Sequence, residues 1–271
     1  MKLPADYHIH TVRCGHASGS LEEYLKSAQK LGLREVGFSD HLPLYFLPKD
    51  KREDGLAMDE SEVEAYFEDI RQARIAFPDI AVKLGIEADY IPGQEDKLAT
   101  VLKEMPLDYV LGSVHYIDGW GFDNPDYIDE YVNKDIDRLY CRYFELLKQA
   151  ALSGIFDVLA HPDLVKKFGY FPAGDMNGVY EDTVRAIKKS NVCIEVNTAG
   201  LRVPAREMYP AEGFLRLCCR YGVPVTFGSD AHKPEQVWQG FTEAVTLLKK
   251  VGYRETVIFN GRQREIVSLE K

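Results

Sequence analysis

Seven histidines are few for a chain of 271 residues, and their positions say more than their number. His8 and His10 form H-x-H, and on a strand the period of two puts both imidazoles on one face, within reach of one cation. His16 follows in C-G-H-A, His41 ends S-D-H, His115 ends G-S-V-H, His161 opens H-P-D and His232 ends S-D-A-H. Each stands at or just beyond the end of an apolar run. Glu87 in G-I-E-A-D and Asp230 in G-S-D-A-H occupy equivalent places and add anionic oxygens. Such a mixed nitrogen and oxygen set suits zinc, iron or manganese. Any one of these histidines alone reads more simply as a hydrogen-bonded structural side chain. Seven at equivalent places, with two carboxylates, read as a metal site.

Elements that could gather them are visible in the same runs. ADYHIH, EVGFSDH, AVKLGIEADY, DYVLGSVH, FDVLAHPD, VCIEVNT and VPVTFGSDAH read as buried parallel strands. Helical stripes lie between them: Leu21, Tyr24, Leu25, Ala28 and Leu31 behind a Ser20-x-x-Glu23 capping box, then Val63, Phe67, Ile70 and Phe77, then Ile136 through Leu147. Alternation of strand and helix implies right-handed βαβ units, and seven strands without an antiparallel hairpin signal favour closure into a barrel. The strand ends of such a barrel meet on one face, where residues distant in sequence converge. ETVIF near the C-terminus could add an eighth strand or cover one end. The connections Leu42 to Met58 and Tyr116 to Asn133 are long and polar, which marks them as lids or substrate loops. No Pro/Gly/Ser-rich linker divides the chain, so 1–271 reads as a single domain.

Composition narrows the partners. With 43 acidic against 33 basic residues the formal charge is -10, which disfavours extended nucleic acid and leaves a small anion possible. No stretch approaches a membrane span, and the first residues show no apolar signal region, so the expected location is cytoplasmic. Cys14, Cys141, Cys193, Cys218 and Cys219 have no disulfide-framework spacing and read as reduced thiols.

Taken together, D-Y-H-I-H-T, S-D-H, G-I-E, G-S-V-H, A-H-P-D and G-S-D-A-H resemble the successive motifs of the polymerase and histidinol phosphatase (PHP) family, in the family's order over nearly the whole chain. Within it, E-A-D-Y-I-P, D-Y-V-L-G-S-V-H-Y and E-V-N-T-A-G-L-R are most similar to the histidinol-phosphate phosphatases. The resemblance implies an α/β fold, a distorted TIM-like (β/α)7 barrel with its metal site at the C-terminal ends of the strands. It also implies three divalent ions (Zn, Fe or Mn). One would be held by His8, His10, Glu87 and Asp230, a second by Glu87 with His115 and His161, and the third by His16, His41 and His232. Asp40 would orient a ligating imidazole, as carboxylates commonly do. Cys14 would be a bystander.

The resemblance implies a metal-dependent phosphomonoesterase acting on a small phosphorylated substrate, L-histidinol phosphate, in histidine biosynthesis. Hydroxide held between two metals would attack phosphorus directly, with Asp230, His232, Glu87 and Arg202 carrying the catalytic step. Asp135-x-Asp137 lies in a helical pattern and lacks the threonine or valine of an aspartyl-phosphate enzyme. Phosphate needs basic partners at the mouth. Arg202 in A-G-L-R matches a family arginine, and Lys167 stands where similar enzymes have an arginine. Arg206 and Lys233 are further candidates, against the simpler reading of solvated surface charges. Glu195 could support water or the substrate amine, or could be a structural partner. Tyr90, Trp120 and Phe168 lie near motifs that could supply an aromatic wall. The competing functions are a phosphoesterase for nucleotides, phosphotyrosine or a DNA 3′ end, and a non-catalytic metal-binding regulatory module.

Overall fold

The computed structural model describes residues 5–52 and 55–269. Its strands are β1 (Glu35–Phe38), β2 (Ala81–Asp89), β3 (Tyr109–Ser113), β4 (Tyr116–Ile117), β5 (Trp120–Gly121), β6 (Val158–Leu159), β7 (Cys193–Asn197), β8 (Val225–Gly228), β9 (Glu255–Asn260) and β10 (Gln263–Ser268). Six of them form one parallel sheet in the order β1-β2-β3-β6-β7-β8. The extended segment 5–10 joins its two edges. Gly37 and Ser39 donate backbone N–H groups to the carbonyls of Asp6 and Ile9, while Tyr7 and His10 donate to Phe227 and Ala231. This segment is the seventh stave of the expected barrel.

Helices α1 (Leu21–Leu31), α2 (Val63–Ala76), α3 (Glu95–Lys103), α4 (Ile136–Leu152), α5 (Asn177–Ser190), α6 (Glu212–Tyr221) and α7 (Phe241–Val251) pack outside the strands. The predicted capping box of α1 is present: Ser20 Oγ accepts from Glu23 N at 3.3 Å, and Glu23 Oε2 accepts from Ser20 N at 2.7 Å. At the start of α4, Asp135 accepts from Arg138 N, while Asp137 accepts from the N–H groups of Ala173 and Gly174. Both aspartates therefore serve the backbone, in line with discounting the D-x-D pair.

Period-two alternation decides what faces inward. In β2, Val82, Leu84, Ile86 and Ala88 join the core beneath the helices, which turns Glu87 and Asp89 into the barrel. Below them the interior is filled by Tyr7, Tyr109, Leu111, Val158 and Cys193. Tyr109 spans the lumen because Gly37 and Gly85 lack side chains; a Cβ at either would overlap its ring.

The structure corrects the sequence reading on hairpins. β9 does not enter the main sheet; it pairs antiparallel with β10. Val257 and Phe259 then close the barrel end opposite the histidines, which is the covering role that ETVIF had as its alternative. A second hairpin, β4 with β5, turns at Asp118-Gly119, both with positive φ (53° and 86°). Asp-Gly between short strands is a strong hairpin signal, so this turn was readable and was missed. The hairpin lies in the long connection after β3. The other long connection, from Leu42, carries a short 3-10 helix, Lys49–Lys51, and its residues 53–54 lie outside those described.

Candidate metal centre

All seven histidines and both acids meet at the C-terminal ends of the strands. Glu87, 2% exposed, is the centre. Its Oε2 lies 3.1 Å from His8 Nε2, 3.4 Å from His10 Nε2 and 3.0 Å from His41 Nδ1. Its Oε1 lies 3.0 Å from His161 Nε2 and 3.5 Å from His115 Nε2, and accepts from Ser113 Oγ. Asp230 Oδ1 stands 3.4 Å from His10 Nε2 and 3.8 Å from His8 Nε2. Two ligands about 2.1 Å from a tetrahedral ion are roughly 3.4 Å apart, so these spacings match the edges of a coordination shell.

Hydrogen bonding points the same way. Nε2 of His10, which faces Glu87 and Asp230, and Nε2 of His232 are buried without a hydrogen-bond partner among the described residues. Orphaned groups of this kind are costly unless a cation takes them. The donor set therefore fits divalent metal.

The third trio is looser. His232 stacks on His10 at 4.2 Å and on His16 at 4.7 Å, and the His16 and His41 rings are 5.4 Å apart. Cys14, expected to be a bystander, brings its thiol within 4.8 Å of the ligand atoms of His16 and His232.

Burial sharpens the charges. It opposes ionisation of Glu87 and Asp230, yet the surrounding imidazoles hold both carboxyls well below the usual range. For His10 burial works downward, and Asp230 and Asp40 outweigh it, lifting the imidazole to about 9. His115 is lifted to about 10 against burial by Asp123, Asp89 and Glu87. His232 goes the other way, pressed to about 2 by burial and by His10. Like charges cannot all be accommodated, and a cation held by these groups would take the place of the protons.

The ligating groups are aimed by the backbone. Asp230 and His161 adopt positive φ (54° and 30°) just past β8 and β6, a conformation uncommon outside glycine and frequent at functional sites.

A PHP domain model matches residues 6–199, more than half of the chain, and a PHP-associated model matches residues 215–247. The chain belongs to the PHP family. The probable histidinol-phosphatase of Deinococcus radiodurans is 38% identical over 96% of this chain and 98% of its own. The histidinol-phosphatase of Bacillus subtilis is 28% identical over 86% of this chain and 94% of its own. A crystal structure of histidinol phosphate phosphatase from Lactococcus lactis, complexed with zinc, L-histidinol and phosphate, superposes with a TM-score of 0.83 at 22% identity, covering 97% of this chain and 98% of that one. At that identity the likeness establishes the fold.

Around the PHP cluster a cavity of about 980 Å³ opens, and only some of the residues expected in it are there. Lys167 lines it, donating from Nζ to the carbonyl of Asp123 at 2.8 Å and to its carboxylate at 3.1 Å. Arg202 does not line it. Its Nη2 donates to the carbonyls of Ser229 (2.7 Å) and Asp230 (3.0 Å), supporting the turn that carries Asp230. Arg206 and Lys233 are exposed and lie off the cavity.

Glu195 is fully buried, and of its two readings the geometry matches the structural one. It pairs with His8 Nδ1 at 2.8 Å and accepts from His161 N at 2.8 Å and Asn197 Nδ2 at 3.0 Å. Asp40 accepts from Thr11 N and Oγ1 and stands 3.6 Å from His10 Nδ1, the place expected of an orienting carboxylate. Asp89 does the same for His115 at 2.8 Å. It was not singled out, although it follows Glu87 by two residues on the same strand face. Tyr90, Trp120 and Phe168 do not line the cavity; its aromatic wall is Phe46, Tyr116, Tyr127 and Tyr209.

Proposed function

We propose that this chain hydrolyses L-histidinol phosphate to L-histidinol and inorganic phosphate, as a step of histidine biosynthesis, with three divalent ions of zinc, iron or manganese. What carries the reading is the 38% identity, along almost the full chain, to a protein named for that activity. The cluster supports it, since the groups expected to ligate gather at one end of the barrel, with His16 at the exposed margin. No helix among the described residues is long and apolar enough to cross a membrane, and the five free cysteines fit a cytoplasmic setting. One domain spanning 1–271 is part of the proposal, supported by a sheet whose strands come from both halves of the chain.

The ligand assignment we put forward is His8, His10, Glu87 and Asp230 for one ion, Glu87, His115 and His161 for a second, and His16, His41 and His232 for a third. When bound, the ions acidify water and neutralise phosphoryl oxygens, which is the main requirement for cleaving a phosphate monoester. The protein's own groups prepare that chemistry. Glu87 presents one oxygen to each of two imidazole sets, so a single carboxylate fixes their separation. Glu195, Asp89 and Asp40 hold His8, His115 and His10 in place. Lys167 brings a mobile cation to the cavity for the phosphate. Arg202 acts through the backbone of Asp230 and is a positioning residue.

The test is steady-state kinetics with protein of measured metal content on histidinol phosphate, nucleotide monophosphates, phosphotyrosine and a DNA 3′ phosphate. A preference of at least about 100-fold in kcat/KM for histidinol phosphate is expected. Comparable rates on all four would reject the substrate, and full activity after chelation would reject the mechanism.

A further inference from the structure

The acids lining the cavity beyond the cluster are not equivalent. Asp118 is held by Arg142 at 2.7 and 2.9 Å, and Asp89 is held by His115. Asp126 lies on the exposed rim. Asp123 differs from all three. It is only partly accessible, it lines the same cavity as His115 and His161, and the group on its carboxylate is the ammonium of Lys167. A carboxylate that already holds an ammonium thus stands at the border between the cation cluster and the open cavity.

We propose that Asp123 is the specificity residue that receives the ammonium of the substrate, and that Lys167 is displaced from it onto the phosphate. This rests on the histidinol phosphate reading. In that ester two carbons separate the bridging oxygen from the ammonium, so an anion that binds the ammonium must stand close beside the groups that hold the phosphate. Glu87 and Asp230 are committed to the cations, and Asp118 and Asp89 to fixed partners. Asp123 has the right neighbours and a partner that is able to move. Lysine carries its charge on a flexible stem with rotatable donors, so Nζ turns without a backbone shift. One ammonium replaces another on the carboxylate, and the carboxylate does not pass through a buried, unpaired state. A phosphate ester lacking the amine gains nothing from this exchange, because releasing Lys167 would leave Asp123 uncompensated. The pair therefore reads amine and phosphate together.

The experiment compares histidinol phosphate with the same ester lacking the amine, using metal-loaded wild type, Asp123→Asn, Asp123→Glu and Lys167→Met. In wild type the amine ester is preferred. Asp123→Asn is expected to lower that preference, the ratio of the two kcat/KM values, by roughly 10- to 100-fold, the size of a charged hydrogen bond. Asp123→Glu keeps the charge and retains an intermediate ratio, which covers the case of a poorly folded amide variant. Lys167→Met is expected to slow the amine ester more than the amine-free one, because only the amine frees Lys167 for the phosphate, and equal slowing of the two overturns the exchange. An Asp123→Asn variant that slows both esters equally, or leaves the ratio unchanged, overturns the assignment while the substrate reading stands. Failure of that reading looks different: wild type itself would show no preference for histidinol phosphate over the nucleotide and phosphotyrosine substrates.

Discussion

At Glu87 five imidazole nitrogens lie between 3.0 and 3.5 Å from one carboxylate, an arrangement that makes sense only with positive charge between them. The residues around it divide by what their removal should do. His10→Ala deletes a donor shared by the Glu87 and Asp230 spacings, and is expected to cost a full equivalent of bound metal and at least about 100-fold in turnover. Elemental analysis of the purified variant checks the first, and kinetics the second. Arg202→Ala is expected to act on metal as well, because its guanidinium supports the carbonyls of Ser229 and Asp230. A fall of about 10- to 100-fold in metal affinity is predicted from loss of such outer support, with inhibition by phosphate unchanged once metal is saturating. A guanidinium that contacted phosphate would give the reverse pattern in the same titration.

Strands and turns place these residues, and a single methyl group tests how tightly. The side chain of Glu195, on the adjacent strand β7, leans over Gly228 in β8, and a Cβ there would overlap Glu195 Oε1 and crowd the Cβ of His8. Gly228→Ala is expected to cost on the order of 1–3 kcal/mol in stability and to lower metal content, by pushing Glu195 off His8. Unchanged melting and metal content in that variant would argue that Glu195 has slack. The proposed ligands could be singled out because each sits where an apolar run ends, a signal that survives in one sequence. The strand runs and the α1 capping box were legible for the same local reason. Asp123, Phe46 and Tyr127 were not, since they lie in the connections between the main strands and helices, whose path is set by tertiary packing. Arg202 and Glu195 were found as residues, but their roles could not be read. Whether a charged side chain points into a cavity or under a turn depends on neighbours far away in sequence. The hairpin of β9 and β10 was missed because its second strand, Q-R-E-I-V-S, is mostly exposed and has little apolar pattern.

For the molecule as a whole, the cluster ties acidity to stability. In the metal-free protein His10 stands near 9 and His115 near 10, both above the ordinary value near 6.5. A group whose folded value is raised stabilises fully below its unfolded value, and the benefit is lost as pH climbs through the folded one. Chelated protein should therefore lose melting temperature progressively from pH 7 to pH 10. Metal-loaded protein should lose less over the same range, because its imidazoles carry no proton to give up. Buried cysteines and tyrosines titrate in both samples, so the difference between the two curves isolates the histidines. Parallel curves would show that the imidazoles are already neutral without metal.

The stave formed by residues 5–10 makes the barrel a ring with a seam. On one flank lie His8 and His10, and on the other Ala231, Asp230 and Ser229, whose hydroxyl meets the carbonyl of His8 across 221 residues of sequence. Synthesis therefore makes the two imidazoles of the first proposed cation site before Glu87 in β2, and its aspartate only after β8, the last barrel strand. Until then two imidazoles wait without their aspartate, and no chain that stops short of Asp230 owns that site complete. An ion held by these groups would also rivet the joint, so metal supply during synthesis should govern how much protein closes.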